Sequence, residues 1–270
     1  MQAYKANYRR LNLEVKTIDG RRFIEYREMK AMGIPHLMST RDMDLGFTTC
    51  GNEGAITEQY ARMAKAMGRP SMALYVMRQV HSGKVVDTSD YGKTEDTYEL
   101  GDIRVVRGID GMITREANTG ISVTVADCVP LVIYDPVKKC LANLHSGWKG
   151  TLQKIGQTGL ELMMAKYGTK ATDCRVFLGP HIGLADFEVT EEVASAFRTA
   201  FGEKYVHPKD ETHSRIDLNS VITDMFIALG VGAENIYAAE ESTVADPGLY
   251  HSFRRDGREF GIMSLLAMVE

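Results

Sequence analysis

Residues 121–150 read ISVTVADCVPLVIYDPVKKCLANLHSGWKG, and this stretch indicates the fold class. Over residues 121–125, apolar and small polar residues alternate, which is the period of a strand with one buried face. A second apolar run follows over 131–134, and a third returns over 140–144. Proline and aspartate bound these runs, as turn residues do. Three consecutive strands are therefore expected here.

Outward from this stretch, the predicted elements include both strands and helices. SGWKG at 146–150 forms a glycine loop that leads into a helix expected over 151–167, where apolar residues recur at helical spacing. The remaining patterns predict helices over 57–67, 191–201 and 218–229, and strands over 72–80, 175–178 and 235–239. No linker interrupts the chain, so residues 1–270 are expected to form a single domain. Its class is α+β (mixed α/β), with a central mixed β-sheet system flanked by helices.

Charge and composition exclude two classes of partner. The 270 residues contain 32 Lys and Arg against 36 Asp and Glu, interspersed along the chain. Nucleic acid is not expected as a partner, because binding its phosphates needs a concentrated basic face. No membrane association is expected either, because no apolar run approaches the roughly 18 residues of a span and residues 1–10 lack a signal-peptide core. We expect a cytoplasmic monomer or weak oligomer with four reduced cysteines.

Three residues with metal-binding side chains lie where predicted strands end: His81, Cys128 and His145. They are separated by 47 residues (128 minus 81) and 17 residues (145 minus 128), so the fold must bring them together. One thiolate and two imidazoles suit Zn²⁺, and three protein ligands with an open fourth position are typical of catalytic zinc. The alternative is a small apolar cysteine and two hydrogen-bonded structural histidines.

The sequence around the three residues is similar to one protein family. RQVHSG at 78–83, VADCVP at 125–130 and NLHSGWKG at 143–150 resemble the laccase-domain family, also called multicopper polyphenol oxidases and described as purine nucleoside phosphorylases. Further matching segments are IPHLMSTR at 34–41, LGPHIG at 178–183, FEV at 187–189 and SFRRDG at 252–257. The resemblance covers nearly the whole chain in the right order.

The resemblance implies a function and a metal site. It implies that His81, Cys128 and His145 are the metal-binding and catalytic residues, with Zn²⁺ expected and copper as the less favoured alternative. The implied activities are phosphorolysis of purine nucleosides, in which phosphate attacks the ribose carbon, and deamination, in which water attacks C6 of adenine. The implied substrates are phosphate with adenosine, inosine, guanosine or methylthioadenosine. The net positive charge of such a zinc site acidifies water and attracts phosphate.

Three loops depart from the family pattern. DMD at 42–44 stands in place of the glycine pair that usually follows STR. ST at 242–243 replaces a Cys-Thr pair, and GI at 261–262 replaces a final Gly-Arg. The metal ligands are kept, but the family's substrate contacts in these loops do not carry over.

Four further residues are candidates for handling substrate or protons. Arg41, in the STR motif, and Lys149, at an expected helix start, are candidates for binding phosphate, because a guanidinium fork or a cation beside helix N–H groups attracts an anion. Asp127 and His181 are candidate proton shuttles. The alternative for Asp127 is to orient a ligand histidine, and the alternative for His181 is a loop imidazole bonded to backbone.

Three other functions stay open. The family's older name suggests a copper-dependent polyphenol oxidase (laccase), although the seven histidines include no His-x-His pair of the kind that multicopper sites use. A cysteine hydrolase would use Cys128 as nucleophile and a neighbouring histidine as base. A non-enzymatic protein would close a structural zinc site with a fourth ligand.

Overall fold

The computed structural model describes residues 7–93 and 96–270 of the chain. Its strands are β1 Arg9–Arg10, β2 Leu13–Ile18, β3 Arg21–Tyr26, β4 His36–Ser39, β5 Ala73–Arg78, β6 Val85–Asp87, β7 Thr97–Leu100, β8 Ile103–Arg107, β9 Gly111–Thr114, β10 Thr119–Val125, β11 Val129–Asp135, β12 Cys140–Ser146, β13 Arg175–Leu178, β14 Glu188–Thr190, β15 Val206–Pro208, β16 His213–Ile216, β17 Ile236–Ala238 and β18 Met263–Val269. Its α-helices are α1 Arg27–Ala31, α2 Glu53–Ala66, α3 Trp148–Leu152, α4 Ile155–Tyr167, α5 Glu191–Phe201, α6 Leu218–Ala228 and α7 Phe253–Asp256. Within these two ranges, no helix has both the length and the apolar character needed to cross a membrane.

Two large mixed sheets and one small antiparallel sheet contain the described strands. The seven-stranded sheet has the order β1-β17-β13-β11-β12-β9-β6, the eight-stranded sheet has the order β2-β3-β4-β18-β10-β5-β8-β7, and the small sheet has the order β14-β16-β15. Strand β10 shows the mixture of directions, because it pairs antiparallel with β18 and parallel with β5. The expected mixed α/β class with a central β-sheet system is therefore confirmed.

Because successive side chains of a strand point to opposite faces, the apolar side chains form three separate clusters. On β11, Val132 packs between the two large sheets in the same cluster as Ile121 of β10. Its neighbour Leu131 points the other way, into a cluster that contains Leu160 of α4. On the far side of the eight-stranded sheet, β5 packs against Tyr60 of α2. The layers are thus helix, sheet, sheet and helix, and strands covered on both faces have nearly continuous apolar sequences.

A buried asparagine links the two large sheets. Asn143 of β12 is inaccessible to solvent, and its Nδ2 donates to the carbonyl oxygens of Ile121 in β10 (2.9 Å) and Leu265 in β18 (3.0 Å). Each such bond contributes about 1 kcal/mol, and leaving the same groups buried without partners costs more. The contact therefore fixes the end of β12 that carries His145 against the opposite sheet.

Several predicted element bounds differ from the structure. The helix expected over 151–167 is two helices, α3 and α4, because Lys154 adopts a left-handed backbone (φ 56°) between them. Helix α2 begins at Glu53 rather than at residue 57, because the side-chain oxygen of Asn52 caps it by accepting the N–H of Ala55 (2.8 Å). The strand at 175–178 and the helix at 191–201 have the predicted bounds.

Candidate metal centre

The fold brings His81, Cys128 and His145 into one cluster. Their metal-binding atoms all lie within 4.8 Å of one another, and Cys128 Sγ is 4.0 Å from Nε2 of His81. The two imidazole rings have centroids 4.8 Å apart and planes inclined by 76°. In the part of the chain that the structure describes, no other group of three or more His, Cys, Asp or Glu side chains is arranged to hold a metal ion.

The donor set fits a zinc ion after a small movement. Zn–N bonds of about 2.0–2.1 Å and a Zn–S bond of about 2.3 Å place tetrahedral ligand atoms roughly 3.3–3.6 Å apart. The separations therefore need to shorten slightly, and the exposed side chain of His81 is freer to move than the buried His145. Among the described residues, no fourth His, Cys, Asp or Glu joins the group, so one coordination position is left for a non-protein ligand.

Strand pairing places Cys128 beside His145. In the antiparallel register of β11 and β12, Pro130 lies opposite His145, so Cys128, two residues earlier, falls opposite Gly147. A Cβ atom at position 147 would lie 2.7 Å from Cys128 Sγ and 3.3 Å from Cδ2 of His81. Glycine is therefore required at this position for the thiol and the imidazole to share the space.

His81 lies in the loop after β5, and its backbone is left-handed (φ 61°). Such a conformation costs a non-glycine residue roughly 1 kcal/mol, so the loop must be held in place. Gln79 holds one side of it, because its Nε2 donates to the carbonyl of Thr124 (2.8 Å) and its Oε1 accepts the Thr124 N–H (2.7 Å). The side-chain amide thus extends the pairing of β5 with β10 and directs the loop towards the turn that carries Cys128.

Asp110, which directly precedes β9, holds both histidines. Its carboxylate is inaccessible to solvent and accepts the backbone N–H groups of Val80 (3.2 Å), His81 (2.9 Å) and Ser82 (2.7 Å). The same carboxylate accepts the Ser82 hydroxyl (2.8 Å) and faces Nδ1 of His145 (2.8 Å). Since Nδ1–H is donated to the carboxylate, Nε2 of His145 is the atom left to bind a metal.

Asp110 was not among the residues predicted from the sequence. Its sequence signal is one acidic residue in GIDGMIT at 108–114, and an aspartate between glycines and apolar residues is typical of an ordinary turn. Only the fold shows that this turn packs beneath the loop of His81. A buried aspartate between two metal-binding segments is recognisable once the strands are paired, but not before.

The charges of the cluster are coupled. Burial raises the pKa of the Cys128 thiol, but the neighbouring imidazoles of His145 and His81 outweigh burial and lower it to about 6. Burial lowers the pKa of His145, but the thiolate of Cys128 and the carboxylate of Asp110 raise it to about 9. Burial raises the pKa of Asp110, but hydrogen bonds from His145 and Ser82 lower it to about 2. The thiolate, the imidazolium and the carboxylate therefore stabilise one another's charged forms when no metal is bound.

The structure places Asp127 against loops of the C-terminal region rather than against a ligand histidine. Its carboxylate accepts hydrogen bonds from Oγ1 of Thr243 (2.5 Å), Oγ of Ser252 (3.0 Å) and the N–H of Arg254 (2.7 Å). The orientation of a ligand histidine, which the sequence offered as an alternative role for Asp127, belongs to Asp110.

His181 lies in a buried loop and is only 3% exposed. Its Nδ1 is 2.8 Å from the carbonyl oxygen of Gly179, to which it donates. Burial lowers the pKa of His181, so its ring is neutral at neutral pH. This is the backbone-bonded imidazole that the sequence left as the alternative to a proton shuttle.

The two candidate phosphate ligands, Arg41 and Lys149, are exposed. The guanidinium of Arg41 donates to the carbonyl of Pro247, and its backbone N–H donates to the carbonyl of Leu249 (2.9 Å). Lys149 lies in the first turn of α3, two residues after Gly147, with Nζ 5.4 Å from the ring centroid of Trp148. Both side chains therefore place a positive charge at the surface of the protein.

Comparison with known proteins shows which proteins this chain is similar to. The sequence profile of the family described as "Multi-copper polyphenol oxidoreductase laccase" matches residues 29–270. Purine nucleoside phosphorylase YlmD of Bacillus subtilis is 30% identical over 197 residues, which are 71% of this chain and 69% of that protein. An adenosine deaminase from an unknown prokaryotic organism is 29% identical over 202 residues, 74% of this chain and 76% of that protein. The crystal structure of YlmD from Geobacillus stearothermophilus has the same fold, with a TM-score of 0.84 at 21% identity over 96% of this chain and 100% of that one.

Replacing Asp110 tests the arrangement around the histidines. In Asp110→Asn, an amide N–H₂ group meets N–H donors, so we expect zinc affinity to fall about 10- to 100-fold and the free energy of unfolding to fall as well. Asp135→Asn is the matched control. Asp135 is equally buried, but it accepts hydrogen bonds in the turn at the end of β11 that is far from Cys128. Zinc competition titrations measure the difference, and equal affinities for the two variants would contradict the role of Asp110.

The coupled charges predict how zinc affinity depends on pH. Zinc must displace the proton that the neighbouring thiolate and carboxylate hold on His145, so affinity should fall as pH falls below about 9. The expected slope is about tenfold per pH unit, and it should steepen below pH of about 6, where the Cys128 thiol also takes up a proton. Chelator competition between pH of about 5 and about 10, roughly one unit beyond each end of this window, measures the slope. Affinity independent of pH would rule out the imidazolium–thiolate pair.

Proposed function

This chain belongs to the multi-copper polyphenol oxidoreductase laccase family, and on that premise we propose that it is a zinc-dependent purine nucleoside phosphorylase with adenosine deaminase activity. The proposed substrates are phosphate with adenosine, inosine, guanosine or methylthioadenosine. Relatives that carry the names of these two activities support the assignment. A single domain over residues 1–270, a monomeric or weakly associating state and a cytoplasmic location stay predictions.

The observation that carries the proposal is the incomplete ligand set. His81, Cys128 and His145 would hold the metal, and no fourth ligand of the described chain closes the site. When bound, Zn²⁺ supplies a Lewis acid that acidifies water and attracts phosphate oxygens, which serves both proposed reactions. An open position of this kind disfavours a purely structural zinc site, which has four protein ligands.

The surrounding residues have separate roles in the proposal. Asp110 positions His81 and His145, and Gly147 leaves the space that the His81 ring and the Cys128 thiol occupy. Arg41 is proposed to bind phosphate, with Lys149 as a second cation, because both side chains are exposed and both lie in segments that match the family. These assignments rest on charge and exposure.

Proton transfer has two candidates in this proposal, Asp127 and His181. The contacts favour His181, because the carboxylate of Asp127 already accepts three hydrogen bonds from other loops. The hydrogen bond of His181 to Gly179 uses Nδ1 and leaves Nε2 for another partner. A neutral imidazole can accept and pass on a proton during either reaction.

One observation also favours a second function, a cysteine hydrolase. Cys128, whose pKa is lowered, would be the nucleophile in such an enzyme. The neighbouring His145 would be the base, and the buried Asp110 would be the acid that orients this base. This alternative needs no metal. Copper-dependent oxidation of phenols has weaker support, because a multinuclear copper centre needs further histidine ligands and the described chain offers one three-residue group.

Metal analysis combined with product analysis tests the proposed function. The purified protein is expected to hold about one zinc per chain, to convert adenosine and phosphate to adenine and ribose 1-phosphate, and to release inosine by hydrolysis. Cys128→Ser should lose turnover and zinc together, because a serine hydroxyl is not deprotonated at neutral pH. An inactive Cys128→Ser protein that keeps full zinc, or a wild-type enzyme that works in chelator, would favour the hydrolase instead.

In the same assay, Arg41→Ala should slow phosphorolysis roughly 10- to 100-fold, which corresponds to losing one charged hydrogen bond. Deamination should change little, because it uses no phosphate. Arg115→Ala is the matched control. Arg115 is also an exposed arginine, but it lies directly after β9, whereas Asp110 lies directly before that strand. Equal losses of both activities in Arg41→Ala would remove Arg41 from phosphate binding.

A further inference from the structure

Asp127, the residue before Cys128, accepts hydrogen bonds from three loops of the second half of the chain. Its carbonyl oxygen accepts the N–H of Ile182 (3.0 Å), and its own backbone is left-handed (φ 84°). Its carboxylate accepts from a residue in the loop after β17 and from two residues at the start of α7, namely Thr243, Ser252 and Arg254. The loops are therefore attached one residue away from the proposed metal ligand.

Helix α7 is only one turn long, yet its neighbours hold it firmly. The guanidinium of Arg255 donates to the carbonyls of Thr243 (2.8 Å) and Tyr250 (2.7 Å) and to both carboxylate oxygens of Asp256. The guanidinium of Arg254 donates to two backbone carbonyls at positions 186 and 188. A single turn has little stability of its own, so these bonds fix the position of whatever side chain α7 presents.

The apolar side chain that α7 presents to solvent is Phe253, which is 58% exposed. Its ring makes an edge contact with Phe260, with centroids 5.1 Å apart and planes at 86°. Of the large apolar residues exposed in the described chain, Phe253 is the aromatic one, and Leu184, 36% exposed, lies two residues after Ile182 in a loop attached to the same Asp127. A single exposed apolar residue is ordinary, but an aromatic ring that contacts a second ring and whose backbone is fixed by hydrogen bonds offers a preformed flat surface for binding.

Phe253 is also close to the proposed metal ligands. It is bonded directly to Arg254, whose N–H lies 2.7 Å from the carboxylate of Asp127, which in turn precedes Cys128. Adding bond lengths along this path gives an upper limit of roughly 14 Å between the Cα atoms of Phe253 and Cys128. A nucleoside whose sugar lies at the metal site can therefore place its base at this ring.

We propose that Phe253 is a specificity-determining residue that stacks against the purine ring of the substrate. The inference rests on the proposed function, because it takes the purine nucleoside as the occupant. A purine is flat and aromatic, and a phenyl ring held in place in advance binds it at little cost in conformational entropy. Metal binding and phosphate binding do not involve this side chain.

Substitutions at Phe253 test the stacking in steady-state kinetics. Phe253→Ala should raise KM for the nucleoside by about 5- to 150-fold, the range expected for losing one aromatic stack, with kcat and zinc content unchanged. Phe253→Tyr should keep the wild-type KM, whereas Phe253→Leu, which keeps apolar bulk without a ring, should resemble Phe253→Ala. Val137→Ala is the control, because Val137 is 65% exposed in the turn at the other end of β11.

The outcomes separate this inference from the proposed function. If the wild-type enzyme turns over and Phe253→Ala keeps its KM, the stacking is overturned and the phosphorylase assignment stands. If the wild-type enzyme does not turn over, equilibrium binding of adenosine to the zinc-loaded protein decides: weaker binding by Phe253→Ala supports stacking alone, and no binding by the wild type overturns both. If Phe253→Ala instead abolishes self-association without changing KM, the surface serves a second copy of the chain and the inference fails.

Discussion

The buried carboxylate of Asp110 is the interaction on which the proposed metal centre depends. It accepts three consecutive backbone N–H groups from the loop after β5 and also holds Nδ1 of His145 on β12. Those two strands belong to different sheets of the sandwich. A carboxylate without solvent contact is stable only when such donors surround it, because the cost of burying an unpaired charge is several kcal/mol. Satisfying this one charge therefore brings His81 and His145 to the same place.

Three further residues, Gln79, Gly147 and Asn143, help to hold the candidate ligands around the Asp110 carboxylate. Gln79 extends the pairing of β5 with β10 through its side chain, which compensates for the left-handed backbone of His81. Gly147 leaves room for the thiol of Cys128 at the next position of the β11–β12 register. Asn143 ties β12 to the opposite sheet two residues before His145. Because one strand and two short turns held by hydrogen bonds or strand pairing, rather than long loops, set these positions, the ligand atoms lie close together before any metal binds.

Much of the fold, and the three residues that the fold brings together as candidate metal ligands, could be predicted from the sequence for identifiable physical reasons. The strand at 175–178 and the helix at 191–201 follow clear apolar periodicity, and the motifs around Cys128 and His145 are specific. Sequence reasoning missed the break between α3 and α4, because apolar spacing continues through Lys154 while only its backbone turns left-handed. It also missed Asp110, because the donors that surround that carboxylate lie about 30 residues earlier and 35 residues later in the chain. Long-range partners of a single acid leave no local pattern.

X-ray absorption at the zinc edge of the metal-loaded protein tests the central claim most directly, because it reports the number and kind of atoms bound to the metal. The account predicts one sulfur at about 2.3 Å, two imidazole nitrogens at about 2.0 Å and one further light atom that no protein side chain supplies. The imidazole scattering should become less ordered in Asp110→Asn, whose carboxylate no longer orients His145. Two sulfurs, a fourth protein ligand or a zinc environment without sulfur would contradict the assignment of His81, Cys128 and His145 as an open catalytic set.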